Sequence, residues 1–424
     1  MNPAPVDRAR NTSSVMANSI ERPLADTQPR PIAGIRLATG ASGTRYKNRT
    51  DLTLIEVAPG ATVECLFTRN KFCAAPVTVA RQHWASGHNR YLIINAGNAN
   101  AGTGSEGEKR CLEVCAAVAT AADCATSDVL PFSTGVIGQQ MNAAALSAPA
   151  PSLVAALAAD GWTNAAAAIM TTDTRPKIRS VEVRDGAQRF AVTGIAKGSG
   201  MIKPDMATML AYVATDAAVT PAVWKAIARR ATDLSFNRIT VDGDTSTNDA
   251  LVLMATGAAA TPCIDNEQHP WYARLAAAVE AVCIGLAQDV IRDGEGATKF
   301  ISVKVSGGYD ERDCVRVAYA VAESPLVKTA MFASDANWGR ILAAVGRAGA
   351  ARLEIDEVNL SIGGLPIVIG GEPAPGYTEA AGSAIMKLPD IDIDITIGRG
   401  PHQATVWTCD FSYDYVKINA EYRS

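Results

Sequence analysis

Apolar residues recur in this chain with two spacings that never settle into a regular alternation. A period of two marks strands, and a period near 3.6 marks helices. DLTLIEVAPGATVECLFT, from residue 51, alternates about Pro59-Gly60 and reads as a hairpin, and YLIIN at 91–95 reads as a buried strand. Helical spacing takes over across 107–125 and again across 152–170. A Gly-rich break, AKGSGMIKPD at 196–205, leads into MATMLAYVATDAAV, an apolar run of strand type. Thr220-Pro221 opens a helix through 232 as N-cap and first helical residue, and Pro270 opens another to 291. From 352 strand-like runs alternate with glycine turns. The order lacks a steady βαβ rhythm and suits an α+β architecture of sheets covered by helices. No internal repeat is visible.

At 424 residues, the chain has room for two or three lobes, since a domain takes roughly 100–200 residues. It is 48% hydrophobic and 19% charged, which is globular composition. The net charge is -4 and no dense basic run occurs, so a nucleic-acid partner is not expected. Nine irregularly spaced cysteines argue against a disulfide framework; Cys111 and Cys115, one turn apart, read as helix packing. No CxxC pair occurs, and no metal site is expected. Residues 1–30 are polar, without the apolar core of a signal peptide, and read as a loose extension in which Met16 is an alternative start. No run reaches the roughly 18 apolar residues of a membrane helix, so the expected location is the cytoplasm, with no membrane partner.

Histidine, the usual general base, is scarce. His83, His88, His269 and His402 lie outside any Ser/His/Asp or HExxH context and read as surface or packing residues. An α-amine is another base. A threonine at a chain terminus carries its amine beside its hydroxyl, and an α-amine titrates near 7.7–8.0. An internal threonine reaches that state only if the preceding peptide bond is cut. In the segment from Lys197 to Leu210, glycines and Pro204 shape a turn, a small Ala207 precedes Thr208, and a strand follows. Taken alone, the segment reads first as a turn entering a core strand.

Ser133-Thr134-Gly135-Val136-Ile137-Gly138 sets a hydroxyl beside a glycine N–H, as an oxyanion site needs, or is a turn between strand and helix. GTGSEG at 102–107 is a formal GxGxxG, but NAGNANA separates it from the strand, which counts against a nucleotide fingerprint. TVDGDTSTND at 240–249 is a polar loop that reads as an Asx-type turn or a carboxylate cation site, without EF-hand spacing. GEGATK at 294–299 sets Glu295 between glycines, either to hold an ammonium group or at the surface.

Together these segments resemble one family, the ornithine acetyltransferases (glutamate N-acetyltransferases) of arginine synthesis. The resemblance rests on TRNKFCAAPV (68–77), NAGNANAGTG (95–104), STGVIG (133–138), MTTDT (170–174), KGSGMI (197–202), MATML (206–210), VDGDTSTND (241–249), GEGATK (294–299), SDANWGR (334–340) and the tail Asp414–Ser424. It covers the chain from about Pro31 to the end. Lys203, Asp205 and Arg175 depart from the pattern outside the catalytic roles.

The resemblance implies self-cleavage between Ala207 and Thr208, giving an α chain that ends at 207, with its body over 31–207, and a β chain of 208–424. It implies Thr208 as nucleophile and Thr134 with Gly135 as oxyanion hole. The implied substrate contacts are Thr172, Lys197, Thr208, Glu295, Asn419 and Ser424. The implied fold is a two-lobed assembly of layered sheets and helices, like N-terminal-nucleophile hydrolases with different connectivity. The implied reaction moves the acetyl group of N-acetylornithine to glutamate by a ping-pong cycle through acetyl-Thr208. No cofactor is needed, and acetyl-CoA is open as a second acetyl donor. A pair of αβ units, a heterotetramer, is the implied assembly. The competing readings are a self-cleaving aminopeptidase or amidase, a nucleotide-binding oxidoreductase resting on GTGSEG, and an uncut binding protein.

Overall fold

The computed structural model describes residues 22–203 and 209–421. Among them, sixteen strands form three sheets. Sheet one has the order β1 (Ile35–Gly40), β2 (Leu52–Val57), β4 (Tyr91–Asn98), β5 (Val129–Val136). Sheet two runs β3 (Thr62–Phe67), β10 (Ala250–Ala255), β8 (Leu210–Thr215), β7 (Gln188–Lys197), β6 (Lys177–Asp185). Sheet three runs β14 (Glu372–Pro373), β13 (Leu365–Ile369), β12 (Asn359–Ile362), β15 (Asp390–Thr396), β11 (Phe300–Gly308), β16 (His402–Cys409), β9 (Ile239–Thr240).

Sheets one and two meet face to face. Ile55, Leu92 and Ile94 pack with Ile195, Tyr212 and Met254. Phe132 and Tyr212 cross this layer edge to face, with ring centroids 5.5 Å apart. On the outer face of sheet one, Leu54, Tyr91 and Ile93 meet Cys111, Val114 and Val118 of the helix Gly104–Ala122. On the outer face of sheet two, Val192, Val213 and Leu253 meet Trp224 and Ile227 of Pro221–Leu234, and Val282 and Leu286 of Tyr272–Arg292. The first lobe is thus four layers: helix, sheet, sheet, helix. Strands β8 (LAYVAT) and β10 (ALVLMA) are covered on both faces, which is why they read as unbroken apolar runs. Sheet three builds the second lobe with the helices Glu311–Ala322 and Trp338–Gly346. The expected α+β fold of layered sheets and helices in two lobes is what forms.

Several local expectations are corrected. β2 and β3 do not form a hairpin across Pro59-Gly60. β2 pairs with β1 and β4, whereas β3 pairs with β10 in the other sheet, so the turn moves the chain between layers. Both strands alternate, but each meets a different partner. The helix expected over 152–170 is two short helices, Ala150–Ala155 and Trp162–Ala168, separated at Asp160-Gly161. Gly161 is needed there, since a Cβ would lie 2.7 Å from the Leu37 carbonyl oxygen. Parallel βαβ units also exist: β4 and β5 flank one helix, and β8 and β10 another. Antiparallel neighbours surround both units, which hid them in the segment order.

The described part of the expected extension, 22–30, is largely exposed but tied to the body. Asp26 bridges to Ser180, and Arg22 pairs with Glu280 at 2.8 Å. The folded body therefore includes Arg22, not only residues from Pro31 onward. Residues 1–21 lie outside the described residues. The β8 strand that follows position 208 sits between β7 and β10, so the two chains expected from cleavage share one sheet.

Candidate active site

Strand ends from both sheets converge on one cavity of about 280 Å³. Thr134 and Gly135 enter from β5, Lys197 ends β7, Met209 and Leu210 lead into β8, and Asp249 precedes β10. Thr172, Glu295 and Asn419 complete the wall from a loop, a helix exit and the helix Tyr413–Ala420. Six expected residues thus line one cavity: Thr134, Gly135, Thr172, Lys197, Glu295 and Asn419. Ala207, Thr208 and Ser424 lie outside the described residues. Met209, which follows Thr208 in sequence, is part of the wall.

Gly135 is fixed by backbone geometry. Its φ is +131°, and a Cβ there would lie 2.3 Å from the Gly97 carbonyl carbon on the neighbouring strand. β4 shifts register at Gly97/Asn98, so two glycines allow the strands to close at the cavity mouth. Beside Gly135, buried Thr134 accepts a hydrogen bond at 3.3 Å from Lys197 Nζ. An ammonium group only donates, so the Thr134 hydroxyl accepts here and keeps its own proton for another acceptor.

Lys197 is buried. Burial pushes its ammonium group down from the usual lysine range, and Asp173 opposes that push. Asp173 is the hub of the charge arrangement. Its carboxylate accepts from Lys177 Nζ at 2.6 Å, Gly198 N at 2.7 Å and Thr171 N at 2.9 Å. Burial raises the Asp173 carboxyl, but Lys197 and then Lys177 outweigh burial and hold it far below the carboxylate range. Asp293 supplies a second carboxylate to Lys177 at 2.6 Å. Lys177 is thus balanced by two acids, while Lys197 faces the cavity.

Glu295 is buried, its N–H donates to the Ser199 carbonyl at 2.8 Å, and Oε2 accepts from Asn419 Nδ2 at 3.0 Å. Glu295 thus lines the cavity and does not lie at the surface. Ser412 Oγ caps the helix bearing Asn419 and donates to the Gly296 carbonyl at 2.6 Å, joining that helix to the GEGATK turn. Thr172 Oγ1 lies 2.7 Å from Ser199 Oγ.

Sequence reasoning missed three residues here. Asp173 and Gly200 stood inside the quoted MTTDT and KGSGMI segments, but neither was assigned a role. The 240–249 loop was read only as a turn or cation site. Asp242 indeed accepts from Met201 N at 2.6 Å and Ile202 N at 2.9 Å, bracing the Gly-rich break. Yet Asp249 lines the cavity and is buried, and its Oδ2 has no hydrogen-bond partner among the described residues. Burial drives its carboxyl up, against Ser246 and Lys197. Asn248 beside it is anchored on the carbonyls of Ala99 and Ser133, at 2.5 and 3.0 Å.

The histidines stand apart from the cavity: His83 Nδ1 meets the Val129 carbonyl at 2.7 Å, and His269 Nδ1 accepts from Trp271 N. In GTGSEG, Gly107 is a packing glycine, for a Cβ there would lie 2.0 Å from Thr103 Oγ1. Among the described residues, no acid, cysteine and histidine cluster could hold a metal, and no helix is long and apolar enough to cross a membrane.

A small cavity with a buried ammonium group and a buried carboxylate in its wall can take a zwitterionic, amino-acid-sized molecule. The chain belongs to the ArgJ family, whose pattern matches residues 36–424. It is 54% identical over 394 residues to the arginine biosynthesis bifunctional protein ArgJ of Psychrobacter arcticus, covering 93% of this chain and 97% of that protein. Two solved structures are also similar. The arginine biosynthesis bifunctional protein ArgJ of Bacillus halodurans matches at 39% identity with a TM-score of 0.49, covering 50% of this chain and 100% of that one. Ornithine acetyltransferase of Mycobacterium tuberculosis, complexed with ornithine, matches at 31% identity with a TM-score of 0.36, covering 41% and 93%.

Proposed function

We propose that this chain moves an acetyl group from N-acetylornithine to glutamate through an acetyl-threonine at Thr208. Membership in the ArgJ family makes it an enzyme of arginine biosynthesis, of the ornithine acetyltransferase kind. The observation that carries the reading is the meeting of Thr134, Gly135, Lys197 and Glu295 in one cavity whose wall includes Met209.

Cleavage of the Ala207–Thr208 bond frees the Thr208 α-amine. That amine takes the hydroxyl proton as Oγ attacks the acetyl carbonyl. The oxyanion forms beside the Gly135 N–H and the Thr134 hydroxyl, which Lys197 leaves free to donate. The amide C–N bond breaks and ornithine departs with the proton. Glutamate then takes the acetyl group from acetyl-Thr208 by the reverse steps. Lys197 suits a substrate carboxylate and Glu295 a substrate ammonium group, with Asn419 and Thr172 beside them. Ser424 belongs to the same proposal as a substrate contact. Acetyl-CoA is a second donor in this scheme, and no resident cofactor is required. A pair of αβ units in the cytoplasm completes the proposal.

The test pairs intact mass with an exchange assay on wild type and Thr208→Ala. Wild type is expected as two pieces split at 207/208 and transfers label from acetylornithine to glutamate; the variant stays whole and inactive. A whole, folded wild type removes the terminal amine and with it the scheme. Release of free acetate, unaffected by glutamate, would favour the amidase reading.

A further inference from the structure

The two amino acids of the proposed exchange end in opposite charges. Ornithine's side chain carries an ammonium group and glutamate's a carboxylate, and both must enter one cavity of about 280 Å³. The buried charges around that cavity are nearly matched. Lys177 and Lys197 are positive, and Asp173 and Asp293 offset them. Glu295 in the wall is left over, so the fixed charges suit a cationic side chain and oppose an acidic one. A wall carboxyl that can hold or release a proton removes this conflict.

Asp249 is placed to do so. It lines the cavity, is buried, and its Oδ2 meets no hydrogen-bond partner among the described residues. The backbone is pinned on both sides of it: Thr68 N donates to the Asp249 carbonyl at 3.1 Å, and Ala250 N to the Met209 carbonyl at 3.0 Å. Asn248 ties the segment to the carbonyl of Ser133, the residue before Thr134. The carboxyl therefore stays in the same wall as Thr134 and Gly135. Its titratable neighbours come from three elements. Lys197 ends β7, Glu295 shares the cavity from the exit of the helix Tyr272–Arg292, and the half-buried Cys73 thiol precedes the helix Ala75–Ala85. None of them engages Oδ2; Ser246 is the side chain that hydrogen-bonds to the carboxyl. With one oxygen unengaged, the protonated form offers a donor to a substrate carboxylate, and the ionised form an acceptor to a substrate ammonium group.

We propose that Asp249 lets one cavity take both side chains, ionised while the cationic side chain of ornithine is bound and protonated, donating from Oδ2, while the acidic side chain of glutamate is bound. The inference rests on the acyl-transfer reading of the cavity. The proton balances: it leaves Asp249 Oδ2 for solvent as the ornithine-type substrate enters, and returns from solvent as glutamate replaces it. Burial holds the free carboxyl toward its neutral form, and a bound cation offsets that burial. A permanently neutral group at 249 would serve glutamate only, and a permanently charged one ornithine only.

The experiment compares the purified enzyme with its Asp249→Asn variant by steady-state kinetics from about pH 6 to about pH 9, with acetylornithine as donor and glutamate as acceptor. The substrates' own amines titrate alike with both proteins, so the ratio of wild type to variant reads Asp249. In that ratio, KM for glutamate is expected to rise with pH, by up to about tenfold per unit for a single proton, and KM for acetylornithine to fall. At about pH 8 the variant is expected to raise KM for acetylornithine by about tenfold or more, the effect of one lost charged contact, and to leave KM for glutamate no higher than in wild type. Calorimetric titration with ornithine and with glutamate near pH 7, in two buffers of different ionisation enthalpy, counts protons without turnover. In wild type glutamate is expected to take up more protons than ornithine, by up to about one, and the gap is expected to close in the variant. Equal KM changes for both substrates, parallel pH slopes, or equal proton counts in wild type would overturn the assignment. The wild-type proton count decides even where the variant does not fold. A proton gap in an enzyme that exchanges no acetyl group strikes the acyl-transfer reading and leaves the role of Asp249 standing.

Discussion

Gly200 passes so close to Glu295 that a Cβ at position 200 would lie 2.4 Å from the Glu295 carboxyl carbon. Real contacts of that kind do not occur, so any side chain at 200 moves the carboxylate. Glu295 is held by its own N–H on the Ser199 carbonyl and by Asn419, which is part of the cavity wall. Gly200→Ala is therefore expected to keep the fold, because position 200 borders the cavity, and to raise KM for the amino-acid substrate by about tenfold or more, as a lost or misplaced charged contact does. Steady-state kinetics beside a melting curve checks this. An unchanged KM would mean that Glu295 does not touch the substrate ammonium group.

The Asp173 carboxylate is the counter-charge of two buried lysines, so Asp173→Asn leaves too few charges for both. Removing one partner of a buried pair costs about 3–5 kcal/mol. Its folded carboxyl lies below the unfolded value, so its contribution is fully present above about pH 4 and is lost as pH falls through the folded value. Urea unfolding at pH 7 is expected to show the full deficit, and the gap to wild type is expected to narrow below pH 4. A variant as stable as wild type at pH 7 would show that Asp293 alone suffices for Lys177.

Much of this arrangement was legible in the sequence, for identifiable reasons. Thr134-Gly135 and Gly294-Glu295-Gly296 each leave two readings open when taken alone, and it is their occurrence together with the other family segments that points to one site. The doubly covered strand β8 was visible as an apolar run, whereas β10, apolar on both faces as well, was not singled out. The sheet assignments of β2 and β3 were not. Alternation specifies which face of a strand is buried, not which strand it pairs with, and here one turn leads the chain into another layer. Asp173 and Asp249 were missed for a similar reason. A polar loop residue reads as solvated until partners remote in sequence bury it: Lys197 lies 24 residues beyond Asp173 in number but beside it in charge.

Asp249 gives the opposite pH signature to Asp173. Burial drives its carboxyl above the unfolded value, with Lys197 the charged group that opposes. A group raised in the folded state contributes its stability below the unfolded value, about 3.9, and loses it as pH rises through the folded value. Asp249→Asn cannot ionise. Its melting temperature relative to wild type is therefore expected to rise between pH 5 and pH 8 by a degree or more, since the shift is about 2–4 °C per kcal/mol for 150–250 residues and less in a longer chain. Calorimetry across that range decides it; a difference independent of pH would mean that Asp249 does not titrate there.

Gly135 bears on both fold and chemistry, and two variants separate them. Gly135→Ala forces a side chain into a φ of +131° and against the Gly97 carbonyl carbon, 2.3 Å away. It is expected to open the β4/β5 closure, lower the melting temperature and abolish transfer. Since unfolding alone would explain that loss, Thr134→Val is the sharper probe. It keeps the shape and the Gly135 N–H while removing the hydroxyl that Lys197 frees to donate. Losing one oxyanion donor costs about 10²–10³ in kcat. Thr134→Val is expected to show that loss with KM and melting temperature near wild type. A variant with kcat within about threefold of wild type, far less than one oxyanion donor is worth, would leave Gly135 N–H as the sole donor and remove Thr134 from the chemistry.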